Sequence, residues 1–295
     1  MKYFLFILAG LVLLGCQPPA TETKDISLEN WQAVQDAARG TEVTFMMWQG
    51  DPEINAYMNE YVIPSVRDLY GIDLKISGGQ GDMIVSVLLT EMEAGKDQSE
   101  IDMCWINGET FFQLRQINAL YGPFVDKLPN AEYLDLNNPF IKYDFQEETK
   151  GMEAPWGSVQ QTIIYNAERV AEPPQSLVEL EDWVKANPGR FTFANEFTGF
   201  SLLKAWLVEL GGQPDVLDGP FKEELYQQLS SSLWERLNRM KQYFWKKGET
   251  FPATIAQVHQ MYAAGELDFT SSMNDSEVDN KVLRGLFPES SRSYV

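Results

Sequence analysis

The chain has 295 residues, 44% of them hydrophobic and 13% aromatic, enough for one large or two medium cores. Its 43 acidic residues against 23 basic ones give a net charge of −20, which excludes the basic stripe that nucleic acids need and opposes docking on anionic headgroups. With two cysteines and one histidine, it has no disulfide framework and no spaced cluster of metal ligands.

Residues 1–16 read MKYFLFILAGLVLLGC. After Lys2 comes an apolar run, 3–14, too short to span a bilayer comfortably but right for a signal-peptide core. Leu13-Leu14-Gly15-Cys16 resembles the bacterial lipobox. That resemblance implies a signal peptide over 1–15, cleavage before Cys16, and a lipid on Cys16 that anchors the chain in the membrane. The alternative is a short anchor that is never cut. Residues 16–40 are expected to form a lipidated tether and leading segment, since Gln17 to Lys24 is polar, holds two prolines and lacks any period. Cys104, the remaining thiol, sits in a strand-like run and reads as a small buried apolar residue. His259 lies in a helical stretch without a nucleophile elbow nearby and also reads as structural.

Three strand-like runs follow, Val43–Trp48, Ile72–Ser77 and Ile101–Ile106, each starting 29 residues after the last. Helical segments separate them. The first opens at Asp51-Pro52, an N-cap followed by proline, and stops at Gly71; Pro64 inside it predicts a kink. The second starts at Asp82, carries Ile84, Val87, Leu88 and Met92 on one side, and stops at Gly95. A third follows Asn107-Gly108-Glu109. This is the βαβ rhythm, which predicts parallel strands.

The second half begins anew. PWGSVQQTIIYN, residues 155–166, ends in an extended run. A helix through Trp183 stops at Asn187-Pro188-Gly189, and Phe191–Asn195 reads as a strand. Ser201–Leu210 reads as a helix. Leu225, Leu229, Leu233, Leu237, Met240 and Phe244 form a stripe on a long helix. Leu267–Ser272 reads as a further strand. The expectation is an α/β protein of two lobes, each a mostly parallel sheet flanked by helices. Lobe one covers 41–150, a hinge crossing 151–166, and lobe two 167–275.

The lipobox, the two lobes, and the segments WQGD (48–51), LYGPF (120–124), APWGSVQQTIIYN (154–166) and LFPESSRSYV (286–295) together resemble the solute-binding proteins of bacterial ABC importers. The similar branch includes thiamine, iron and polyamine binders. The resemblance implies a type II periplasmic-binding-protein-like fold with the solute held between the lobes. It implies a monomeric non-enzyme without a cofactor, lipid-anchored on the periplasmic face of a bacterial membrane, or on the cell surface where the envelope has one membrane. Its partners would be a small-molecule solute, an ABC permease and its ATPase subunits. Proteins of this kind usually run past the position of Val295. Residues 276–295 are therefore expected to begin a return segment whose crossing and C-terminal helices are missing.

In open α/β sheets ligands bind beyond the carboxyl ends of the strands. Those ends offer Trp48, Gly50 and Asp51, then Gly79, Gln80 and Asp82, then Asn107 and Glu109. The second lobe offers Asn195, Thr198, Ser272 and Asn274, and the hinge Trp156 and Gln160. Each has a plainer reading as a helix cap or a turn residue. Trp48 and Trp156 stand out, because each lies beside a glycine at a lobe edge instead of in an apolar stripe. None of these loops carries Lys or Arg, whereas Asp51, Asp82, Glu109, Glu196 and Asp275 lie in them. Carboxylates and aromatic faces suit an organic cation or a neutral polar metabolite. Helix N-termini after Gly50, Gly81 and Gly108 leave an anionic group open. Two other classes remain: an exported enzyme with paired carboxylates, of which no pair stands out, and a ligand-sensing lipoprotein without transport.

Overall fold

The computed structural model describes residues 30–157, 159–274 and 276–295. Residues 1–29, with the expected signal peptide and the expected lipid site at Cys16, lie outside the described residues, as does Asp275.

Helix α1 (Trp31–Ala38) starts at Asn30, whose side chain accepts from the Ala33 amide at 3.1 Å. Strand β1 (Glu42–Met47) is the centre of the first sheet. Helices α2 (Pro52–Tyr57) and α3 (Ile63–Tyr70) follow it, joined by a π-turn at Met58–Val62. The proline accounts for this turn. Pro64 has no N–H to give, and the chain adjusts just before it, where the Ile63 amide reaches back to Met58. Gly71 ends α3 in the left-handed region at φ 69°. Strand β2 (Asp73–Gly78), helix α4 (Gly81–Glu93), strand β3 (Met103–Cys104) and helix α5 (Gly108–Gln116) complete the pattern. The order is β2-β1-β3 and both pairings are parallel, as the 29-residue spacing predicts.

Side-chain alternation along β1 gives this sheet two cores. Phe45 and Met47 pack with Met58 and Leu74 beneath α2 and α3. Met46, from the opposite face, joins Ile84, Ile101 and Leu114 beneath α4 and α5. Beyond α5 the chain makes a short helix α6 (Pro139–Lys142) and an antiparallel hairpin, β4 (Tyr143–Asp144) and β5 (Glu147–Glu148). The sequence reading gave no element here.

The second sheet corrects an expectation. Strand β6 (Thr162–Asn166) lies between β7 (Phe269–Ser272) and β8 (Ser291–Tyr294), and it is antiparallel to both. The reason is the route of the chain. The strand β6 leaves the hinge at the end of the sheet where β7 finishes, and the Gln160 amide bonds the Met273 carbonyl at 3.0 Å. A strand entering there must run against β7. Strand β7, helix α11 (Glu277–Leu283) and β8 form a crossover unit with β6 between its two strands. Residues 291–294 are therefore part of the second sheet instead of leading away from it. The Tyr294 hydroxyl donates to the Pro174 carbonyl at 2.7 Å.

Helices α7 (Leu177–Ala186), α8 (Phe197–Gly211), α9 (Glu223–Met240) and α10 (Ile255–Ala263) cover this sheet. The stripe on α9 buries Leu229, and its Leu233, Leu237 and Met240 pack with Leu180, Val184 and Trp206. Residues 191–195 are extended and largely buried but join no ladder. Their neighbours are irregular, with the Trp245 amide bonding Phe191 at 2.9 Å and the Asn195 amide bonding Pro252 at 2.8 Å.

Candidate functional site

The carboxyl ends of β1, β2 and β3 share one end of the first sheet with the N-termini of α2, α4 and α5. The hinge carries the chain from this end to the finishing end of β7. Two contacts there tie hinge to second lobe. Gln160 bonds Met273 through its backbone, and the Gln161 side chain donates to the Thr198 carbonyl at 2.9 Å. Gln160, Thr198, Ser272 and Asn274 are thus gathered at one place. Trp156 is 56% exposed and packs on Trp105, ring centroids 4.9 Å apart.

Trp48 is not its partner in that contact. The Trp48 ring folds over its own loop, so that a Cβ on Gly50 would fall 2.3 Å from the indole. Trp105 was missed in the sequence, although a signal was there. It lies one residue before the end of the third strand-like run, where Trp48 ends the first, and its amide bonds Met46 at 2.9 Å.

Several candidates are occupied with local work. One carboxylate oxygen of Asp51 accepts from the Glu53 and Ile54 amides at 2.7 and 3.1 Å, capping α2. Glu196 accepts from the Ile255 amide at 2.6 Å, at the start of α10; burial raises its carboxyl above the ordinary range, against the pull of that bond. Ser272 donates to Glu277 and accepts from the Asn274 amide at 2.9 Å, and Asn274 in turn accepts from Ser276. Gly79 extends the β1–β2 pairing through its amide to Met47 at 3.1 Å. Asn195 is exposed beside α8.

Others remain free for a ligand. Gln80 and Asn107 precede α4 and α5 without a side-chain cap, and the first turns of these helices carry Asp82 and Glu109. The first amides of these helices therefore lack a side-chain cap and have acidic side chains alongside, a field of both polar signs. Gly81 has no room for a side chain, since a Cβ would meet the Thr110 hydroxyl at 2.3 Å.

His259 sits at the finishing end of β7. His259 contacts the Ser271 carbonyl at 3.0 Å and packs edge-on against Phe287; burial lowers its pKa although Glu277 lies near. That geometry fits its structural reading. A cavity of about 280 Å³ opens on the first lobe, lined by Pro123, Val125, Leu136, Ile141, Lys142 and Glu153. Burial and the neighbouring Asp144 carboxyl push Glu153 up to about 8, and burial pushes Asp144 up to about 6. This is the carboxyl pair the sequence did not single out. The two carboxyls neighbour each other, and one buried Glu153 oxygen has no hydrogen-bond partner among the described residues. Cys104, near Glu153, is pushed up to about 11 by burial and is no reactive thiol.

The pattern described for bacterial extracellular solute-binding proteins matches residues 67–287. The chain belongs to that family. Protein YnjB of Escherichia coli K12 is 32% identical over 288 residues, covering 96% of this chain and 72% of that protein. Among solved structures, an ABC transporter substrate-binding protein from Bradyrhizobium japonicum is similar in fold, with a TM-score of 0.53 at 20% identity over 86% of this chain and 68% of that one. An ABC transporter protein from Rhodopseudomonas palustris gives 0.51 at 16% identity over 86% and 68%. Membership in this family makes the chain an extracytoplasmic solute-binding protein.

Proposed function

We propose that the chain captures a small polar or cationic metabolite between its lobes and delivers it to an ABC permease driven by its ATPase subunits. It works as a monomer held at the membrane by a lipid on Cys16. The lobes are assigned to 41–150 and 167–275 with β8 added, joined by the hinge at 151–166. The observation that carries this reading is the meeting of hinge, β7 end and α8 start at Gln160, Met273 and Thr198, on the side where the first sheet presents its strand ends.

The solute lies among Trp48, Trp156, Gln80, Asn107, Thr198 and the amides of α4 and α5. Asp82 and Glu109 carry the preference for positive charge, since Asp51 and Glu196 are engaged in capping. The thiamine, iron and polyamine branch is compatible with that field but not chosen by it. Native mass spectrometry of the purified soluble domain tests the reading, with an intact co-purifying small molecule as the expected result. Recovery of a chemically converted molecule would instead support an enzyme. Binding that persists in cells whose uptake is unaffected by loss of the protein would support a sensor.

A further inference from the structure

The hairpin β4–β5 is built on the first lobe and ends on the second. Its base is fixed by Arg115 on α5, which donates to the Glu148 carbonyl at 2.9 Å and pairs with Glu147 at 3.3 Å. The Thr149 amide closes the base on Lys142 at 2.9 Å. Its tip is two residues, Phe145 and Gln146, at φ 44° and 72°. Neither is glycine, so the left-handed backbone is unfavourable at each and must be held by contacts.

Those contacts reach across. The Phe145 Cβ lies against the start of α5, so close that a Cβ on Gly108 would fall 2.3 Å from it. Its ring meets Phe197 edge-on at 6.1 Å, and the Lys204 ammonium lies 5.2 Å from the ring centroid. Both partners belong to α8. Gln146 donates to Asp218 at 2.8 Å and accepts from the Gly219 amide at 2.7 Å, in the loop between α8 and α9. A two-residue tip therefore holds the start of α5 in one lobe and two separate segments of the other.

We propose that this hairpin is an interlobe strap, and that Phe145 and Gln146 are positioning residues which set the angle between the lobes and through it the grip on the solute. The inference rests on the solute lying between the lobes, but its main readout is lobe separation, which needs no solute. Spin labels at exposed Glu60→Cys and Gln228→Cys, one on each lobe, in a Cys104→Ala background, report that separation by pulsed electron resonance. Phe145→Ala and Gln146→Ala are expected to shift and broaden the distance distribution toward longer values while far-UV circular dichroism stays native. Asp218→Ala, which removes the partner from the far side, is expected to reproduce the Gln146→Ala shift. Distributions identical to the parent in folded Gln146→Ala and Asp218→Ala would overturn the proposal. Should Phe145→Ala fail to fold, those two exposed changes decide alone. A shift with no solute ever found would leave the strap standing and remove only the solute-binding site.

Discussion

Asp268 is 4% exposed and receives two guanidiniums, with Arg190 donating to it at 2.9 Å and Arg169 on its other side. Burial pushes its carboxyl up, but the two arginines outweigh burial and hold it below the ordinary range. Asp268→Asn leaves both guanidiniums without their counter-charge and should cost on the order of 3 kcal/mol, read as a lower urea midpoint. The lowered carboxyl also has a pH consequence. Its contribution is present above the ordinary value of 3.8 and is lost as pH falls through the folded value, so the parent should lose it in acid and the variant should show less of that loss. Glu153 has the opposite sign. The unfolded chain releases this proton near 4.5 and the folded chain near about 8, so stability falls as pH rises through that window. Glu153→Gln should therefore melt higher than the parent at pH 9, with the gap closing toward pH 5. A gap that does not change with pH would contradict this account.

Among the elements, those with a strong local code were legible and those set by distant partners were not. Asp51-Pro52 and Gly71 mark the ends of the helical stretch they bracket, and the 29-residue rhythm gives the first sheet its parallel order. The direction of β6 depends on where the hinge delivers the chain, which no window of residues records. Residues 191–195 have a strand's composition, yet they lie where irregular neighbours at Trp245 and Pro252 take their hydrogen bonds. Strand β8 reads SRSY, without the apolar alternation that announces a strand, because only Ser291 among its residues is fully buried. The junction of α4 and α5 gives an element-scale test. Gly81→Ala drives a Cβ into the Thr110 hydroxyl, which is buried and cannot swing into solvent, and should cost about 1–3 kcal/mol. In a Thr110→Ala background the oxygen is gone and the same change should cost markedly less. Equal costs in the two backgrounds, measured by chemical denaturation, would mean that Gly81 is needed for another reason.

At the scale of the molecule, the candidate site was legible as a set of loops but not as a set of contacts. Strand ends and helix starts can be read from the sequence, whereas the stacking of Trp156 on Trp105 and the reach of Phe145 to α8 arise only when separate segments fold together. The two lobes keep separate cores, and the links between them among the described residues include the hinge, the hairpin tip and the Glu53–Arg284 pair. A solute held between the lobes then adds a link that the empty protein lacks. At a concentration of 100 times Kd it should stabilise the folded chain by about 2.7 kcal/mol. Trp156 separates this gain from the stability of the empty protein. Its ring is 56% exposed and belongs to neither core, so Trp156→Ala should leave the melting temperature of the empty chain nearly unchanged. If the ring lies on the solute, the same change should remove about 1 kcal/mol of binding and lower the solute-induced shift accordingly. Melting curves of parent and variant, each with and without the co-purified molecule, give both quantities from one experiment. An unaltered shift would place the solute away from the hinge tryptophan, and a large fall in the empty chain's melting temperature would make Trp156 a structural residue of the hinge.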